Sequence, residues 1–182
     1  MMIRKTLDRL YVGSGAIASL LIAAICLLVC TQVIFNLITK FGGRSVNLTI
    51  PSYGDFAGYF LAASSFLALA YTLTRGGHIR VNLLLIRLPT SARWVAEILS
   101  LAICAVVAWY ATFYMLKLCL ESHEFGDLSP GIVAVPLWIP QSIVLLGLTI
   151  LSVALVDCLC RTISTRESLF DAIQADKQDF KE

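Results

Sequence analysis

The stretch Arg75-Gly76-Gly77-His78-Ile79-Arg80-Val81 separates two long apolar runs. Paired glycines beside two arginines form a basic turn, which is typical of the border between a membrane span and water. The 182 residues are 58% hydrophobic and 14% charged, with a mean hydropathy of +0.83. A soluble domain carries about a quarter charged residues, so the composition predicts an all-α integral membrane protein.

Apolar runs on both sides of the basic turn predict four transmembrane helices in a single membrane domain. The spans are expected at about 10–39, 56–74, 94–116 and 137–156, followed by a tail at 157–182. As a helix, the first span is about 45 Å long against a hydrocarbon core of roughly 30 Å, so we expect it to tilt or to project into water. A secretory signal is the alternative for this run, but signal h-regions hold only about 7–15 apolar residues, which favours a retained helix.

An interfacial segment is expected between the second and third spans. Arg80 and Arg87 are seven residues apart and would share one face of a helix, with leucines and isoleucine at most positions from 83 to 88. Arg80, Arg87 and Trp94 are therefore candidate anchors toward phospholipid headgroups.

The second span carries small residues at every fourth position. Gly54, Gly58 and Ala62 have the spacing that lets membrane helices approach closely, which predicts a helix contact face. The span is expected to begin near Asp55, where a carboxylate would lie at the positive end of the helix dipole.

Lysines and arginines are unevenly distributed among the segments outside the spans. The N-terminus, the segment around the basic turn and the C-terminal tail hold three, four and four of them, whereas the other two loops together hold three. By the positive-inside rule, both termini and the basic turn face the cytoplasm. Glu121, Glu124 and Asp127 then lie in a loop on the outer side.

Residues with catalytic potential are scattered along the chain. Glu97 is an ionisable residue within a span and thus a candidate proton or substrate site, but Arg93 lies one turn away and an ion pair explains it as well. His78 and His123 fall at opposite membrane faces, too far apart to share a haem. The cysteines lack metal-site spacing, and no nucleotide loop or catalytic triad is present. We therefore predict no enzyme activity, cofactor, metal or nucleic-acid partner.

Two motifs carry a family resemblance. The basic turn contributes Arg75, Gly76, Gly77, His78 and Arg80, and the start of the last span contributes Pro136, Trp138 and Pro140. With the span number and orientation, they resemble the small permease subunit, DctQ-like, of tripartite ATP-independent periplasmic (TRAP) transporters. Two positions depart from the family pattern, Asn82 where an aspartate is common and Ser64-Ser65 where a glycine is frequent.

The resemblance implies a non-catalytic scaffold in the bacterial inner membrane, with membrane phospholipids around it. A separate large permease would hold the substrate and sodium sites, and a periplasmic substrate-binding protein would deliver a small organic anion. Glu121, Glu124 and Asp127 are candidate contacts for that binding protein. Two alternatives stay open, a four-helix membrane anchor of a redox or quinone complex and a small exporter that uses Glu97.

Overall fold

Four long α-helices make up most of the computed structural model, which describes residues 2–41, 48–75 and 90–165. The helices are α1 (Met2–Phe41), α2 (Tyr53–Thr74), α3 (Thr90–Phe125) and α4 (Trp138–Thr165). Each is long and apolar enough to cross a membrane. The prediction of an all-helical protein with four spans is therefore confirmed. The expected interfacial segment, with Arg80 and Arg87, lies outside the described residues, as does the basic turn beyond Arg75.

The helices are longer than the predicted spans. α1 has 40 residues and α3 has 36, about 60 Å and 54 Å, so both exceed the roughly 30 Å hydrocarbon core. α3 ends only at Gly126, whose φ of 67° is the left-handed conformation that commonly follows a helix. Glu121 and Glu124 thus lie on the last turns of α3, which corrects the prediction that they lie in a loop.

The far end of α4 also differs from the expected boundary. The helix continues past residue 156 to Thr165, because no glycine or proline interrupts it there. Asp157 and Arg161 are consequently helical, although the sequence placed both in a tail. Their fixed positions on one helix allow them to take part in helix packing.

The described helices pack in the order α1, α2, α4, α3. α1 packs mainly on α2, α2 on α4, and α4 on α3, while α1 touches α4 only slightly. α1 and α3 are therefore the edges of a row and leave broad apolar faces uncovered, with residues such as Leu20, Leu27 and Val106 about 70% exposed. Exposed apolar faces are compatible with lipid or with another membrane protein.

Small residues allow the helices of this row to approach closely. Ala70 on α2 and Ala154 on α4 are fully buried in the central cluster. A methyl group added to Gly147 would lie 2.8 Å from the backbone carbonyl carbon of Phe66. By contrast, Gly54 and Gly58 have open space beside them, so the predicted contact face meets none of the described helices at these two glycines. The close approach of α2 and α4 is made at Gly147 instead.

Hydrogen bonds link α3 to α4 at two levels. The hydroxyls of Thr112 and Ser152 are 3.1 Å apart and both residues are buried. Near one end of the bundle, the indole Nε1–H of Trp94 donates to the carbonyl oxygen of Thr162 at 2.9 Å. These bonds connect residues that are far apart in the sequence and fix the lengthwise alignment of the two helices.

Candidate functional sites at the two ends of the bundle

Most polar contacts of the described residues lie at the two ends of the helix row. The end that holds residues 48–52 and 126–137 is called the loop end. The terminal end holds the first turns of α1, the last turns of α4, the end of α2 and the start of α3. The apolar middle of the bundle lies between them.

At the loop end, residues 126–137 fold back on themselves. The backbone N–H of Ser129 donates to the carbonyl of Val135 at 2.9 Å, and that of Leu137 donates to Asp127 at 3.0 Å. Ser129 is buried. Its hydroxyl accepts a hydrogen bond from the N–H of Val135 and donates one to the carbonyl oxygen of Val133. The segment between α3 and α4 is therefore a closed loop with internal hydrogen bonds.

This loop is attached to the start of α2. The hydroxyl of Ser52 accepts a hydrogen bond from the N–H of Val133 at 3.0 Å. Gly131 lies directly against the side chains of Ser52 and Asp55, so closely that a side chain at residue 131 would collide with both. Asp55 is in the first turn of α2, as expected from the sequence. The start of α2 and the α3–α4 loop thus form one surface.

Gln32 attaches the other loop to α1, a role that the sequence analysis missed. Its side chain is 4% exposed, with Oε1 accepting from the N–H of Ile50 at 2.9 Å and Nε2 donating to Asn36 at 3.0 Å. About two turns further along α1, the hydroxyl of Thr39 accepts from the N–H of Leu48. A glutamine within a long apolar helix was the available signal, because buried amides require partners.

The proline–tryptophan motif starts α4 and joins it to α3. Pro136 forms an isolated bridge with Leu128, and Pro140 lies in the first turn of α4, where its missing N–H removes no helical hydrogen bond. The ring of Trp138 packs edge-on against His123 with centroids 5.4 Å apart. The motif therefore positions the end of α3 against the start of α4.

The loop end exposes the predicted acidic residues together with large apolar ones. Glu121, Glu124 and Asp127 are all exposed. Beside them along the chain, Phe125 is 73% and Ile132 is 86% exposed. These exposed apolar side chains lie close along the chain to the acidic residues, a combination that is compatible with a surface for another protein.

At the terminal end, one ion pair among the described residues connects the first and last helices, and a second lies within the last helix. Arg161 on α4 lies 3.0 Å from the carboxylate of Asp157 one turn earlier and 3.9 Å from that of Asp8 on α1. The predicted interfacial anchor Trp94 directs its indole N–H to α4, as described above. The charged groups of this end thus contribute to helix packing.

A cavity of about 260 Å³ opens beside this ion-pair group. It lies between α1, α2 and α4 and is lined by Asp8, Tyr11, Val12, Thr74, Arg75 and Arg161. Arg75 is the first residue of the basic turn, and its guanidinium carbon lies 5.7 Å from the centre of the Tyr71 ring. The structure therefore places the first residue of the basic turn at a cavity, whereas the sequence predicted only a turn at the border of a span.

Glu97 lies on α3 and is 8% exposed. Its backbone carbonyl accepts a hydrogen bond from the Ser100 hydroxyl at 2.9 Å. Within 2–41, 48–75 and 90–165 there is no group of three or more His, Cys, Asp or Glu side chains that could hold a metal ion. Glu97 is therefore not part of a metal-binding cluster in this region.

Four apolar spans with polar groups mainly at their ends define a multi-pass helical membrane protein. The family model for the DctQ component of tripartite ATP-independent periplasmic transporters matches residues 25–165. The chain belongs to this family and is a small membrane subunit of a TRAP transporter, which confirms the resemblance stated from the two motifs. Comparisons with curated proteins and with solved structures give no match. The redox-anchor alternative gains no support.

Proposed function

We propose that this chain is the non-catalytic scaffold subunit of a TRAP-type secondary transporter in the bacterial inner membrane. A separate large permease would carry out the sodium-driven uptake of a small organic anion. A periplasmic substrate-binding protein would dock with the help of this chain. The observation that carries the proposal is the family match over residues 25–165.

The arrangement of the helices supports a scaffold role. α1 and α3, at the edges of the row, each pack chiefly on one neighbour and expose apolar residues along their lengths. α3 adds an exposed aromatic group, in which Tyr110 and Phe113 both lie near Tyr114. Such edges offer a large permease an apolar contact surface without loss of the contacts inside the row.

The charge distribution supports a defined orientation. The terminal end and the segment after Arg75 hold most lysines and arginines, so we place this end in the cytoplasm and the loop end in the periplasm. The exposed residues Glu121, Glu124 and Asp127 would then face the periplasmic binding protein. Acidic residues on a docking surface speed association with a basic partner and fix its orientation.

Affinity purification of tagged chain from native membranes tests the scaffold role. We expect a large multi-span permease to co-purify with the chain. Proteoliposomes should take up substrate only when the chain, the large permease and the binding protein are all present. A tagged chain that carries a different, single-span membrane protein from the same host is the control for non-specific capture.

Two results would contradict the proposal. Recovery of this chain without a multi-span partner would remove the scaffold role. Substrate uptake by proteoliposomes that contain this chain alone would make it a transporter in its own right, as the exporter alternative with Glu97 requires.

A further inference from the structure

The cavity at the terminal end contains a buried hydroxyl that lacks a partner. Tyr11 is 1% exposed, lines the cavity, and its phenol oxygen makes no hydrogen bond with any of the described residues. Buried polar groups in folded proteins are almost always hydrogen-bonded. A polar group bound in the cavity can supply the partner that this hydroxyl lacks among the described residues.

The lining of the cavity carries charges of both signs. Arg161 is engaged by Asp157 and more distantly by Asp8, whose side chain is 59% exposed. Arg75 has no ion pair with a carboxylate in the described parts of the chain; it contacts the Tyr71 ring instead. A simple anion at Arg75 would be repelled by Asp8, which lines the same cavity. A ligand with a negative group for Arg75 and a positive group for Asp8 is complementary to both side chains.

The cavity lies at the level where the apolar parts of the helices end. Asp8 comes just before the charge-free run of α1, and Arg75 follows directly after that of α2. Asp157 is the first charge after the apolar run of α4. In a membrane protein these borders lie at the headgroups of the lipids, whichever side of the membrane this end faces. Val12 extends the cavity lining toward the apolar region.

We propose that this cavity binds the headgroup of a phospholipid that carries a phosphate and a primary ammonium group, as in phosphatidylethanolamine. The phosphate accepts hydrogen bonds from the Arg75 guanidinium and the Tyr11 hydroxyl, and the ammonium group donates to the Asp8 carboxylate. Bonds of this kind between charged groups are the strong ones. A trimethylammonium headgroup has no N–H to donate, and a glycerol headgroup has no positive charge.

Native mass spectrometry of the purified, delipidated full chain tests the assignment. Phosphatidylethanolamine, phosphatidylcholine, phosphatidylglycerol and inorganic phosphate are each added separately, and the bound fraction is measured. We expect phosphatidylethanolamine to bind about tenfold more tightly than the other two lipids, as strong hydrogen bonds to charged groups allow. Inorganic phosphate is expected not to remain bound.

Variants distinguish lipid bound in the cavity from lipid that adheres elsewhere on the protein surface. Tyr11→Phe removes one hydroxyl and Arg75→Gln removes one charge; each should weaken phosphatidylethanolamine binding about fivefold to tenfold. Asp8→Asn should abolish the preference over phosphatidylglycerol. Arg9→Gln is the matched control, because Arg9 is exposed and does not line the cavity, and it should leave binding unchanged. Thermal unfolding of each variant without lipid verifies that the fold is retained.

Several outcomes would overturn the proposal. Equal retention of phosphatidylethanolamine and phosphatidylcholine would show that the ammonium group is not recognised. Stronger retention of phosphatidylglycerol would replace the assignment by a purely anionic site. Retention of inorganic phosphate with the same dependence on Arg75 would mean that the ligand is soluble and not a lipid. Unchanged binding in folded Tyr11→Phe and Arg75→Gln variants would place the bound lipid elsewhere.

Discussion

At the scale of single residues, hydroxyl side chains in the spans look alike in the sequence but differ in the structure. Thr112 and Thr149 each donate to the carbonyl oxygen four residues earlier in their own helix. Thr112 alone of this pair also lies 3.1 Å from a hydroxyl of another helix, that of Ser152. Because local bonds of this type form in any helix, the sequence does not distinguish the two residues. Only the packing of α3 on α4 gives Thr112 its second role.

We predict that Thr112→Val lowers the free energy of unfolding by about 0.6 kcal/mol, the average for hydrogen bonds between membrane helices. Valine keeps the shape of threonine but removes the hydroxyl that meets Ser152. Unfolding in mixed detergent micelles by titration with sodium dodecyl sulfate measures the change. The matched control is Thr149→Val, which removes only a local bond, and an equal loss in both variants would contradict an inter-helical contribution.

At the scale of elements, the contact between α2 and α4 depends on one glycine. The sequence pointed to Gly54 and Gly58, because residues four apart share a helix face. The structure leaves both with open space and brings Gly147 against the backbone of Phe66 and Leu67. Which glycine meets a neighbour depends on how the helices are rotated and aligned, and spacing within one helix does not determine this.

Gly147→Ala should destabilise the protein by about 1–3 kcal/mol, because the new methyl group would meet backbone atoms that cannot turn away as a side chain can. Gly58→Ala is the matched control. It adds the same methyl group in open space, where alanine favours the helix over glycine, so its stability should be unchanged or slightly higher. Thermal unfolding of both variants in one detergent compares them. Equal melting temperatures would contradict the close approach of α2 and α4.

At the scale of the whole molecule, the two ends of the row differ in their charged residues. Exposed Glu121, Glu124 and Asp127 lie at the loop end, and the ion pairs of Asp8 and Asp157 with Arg161 lie at the terminal end. The sequence identified the three acidic residues but not the helix and loop that hold them. Two of these three residues prove to be on a helix, next to an apolar loop that is attached to α2. The surface is therefore more ordered than a flexible acidic loop would be.

Neutralising the acidic group should weaken docking of the binding protein. We predict that Glu121→Gln, Glu124→Gln and Asp127→Asn together reduce its association rate about tenfold at low salt, because charges on the rim of an interface act mainly on the rate of encounter. Surface plasmon resonance with the reconstituted membrane complex measures this rate. The matched control neutralises three acidic residues of the tail, Glu167, Asp171 and Glu182. A similar effect in both sets would exclude a specific docking role.

We predict that Arg80, in the basic turn, and Arg87, which follows it, contribute to membrane insertion and to assembly of the complex. We expect Arg80→Glu with Arg87→Glu to reduce the yield of assembled membrane complex several-fold, because positive charges beside a span favour the cytoplasmic side and anionic headgroups, and the change reverses them. Lys177→Glu with Lys181→Glu is the control. These lysines lie more than about 20 residues beyond the predicted end of the last span, where charges have little influence on orientation. Unchanged yield for the first pair would remove the anchoring role.

The sequence by itself determined the class of the protein. Apolar runs of membrane length, the basic turn and the proline–tryptophan motif were enough to predict four spans and the DctQ family, because these signals are local. The lengths of α3 and α4, the order of the helices and the partners of Gly147 and Gln32 were decided only by the tertiary structure. So was the cavity beside Arg75, whose lining comes from three helices. Contacts of this kind depend on helix rotation and alignment, for which a periodic apolar sequence offers many nearly equivalent solutions.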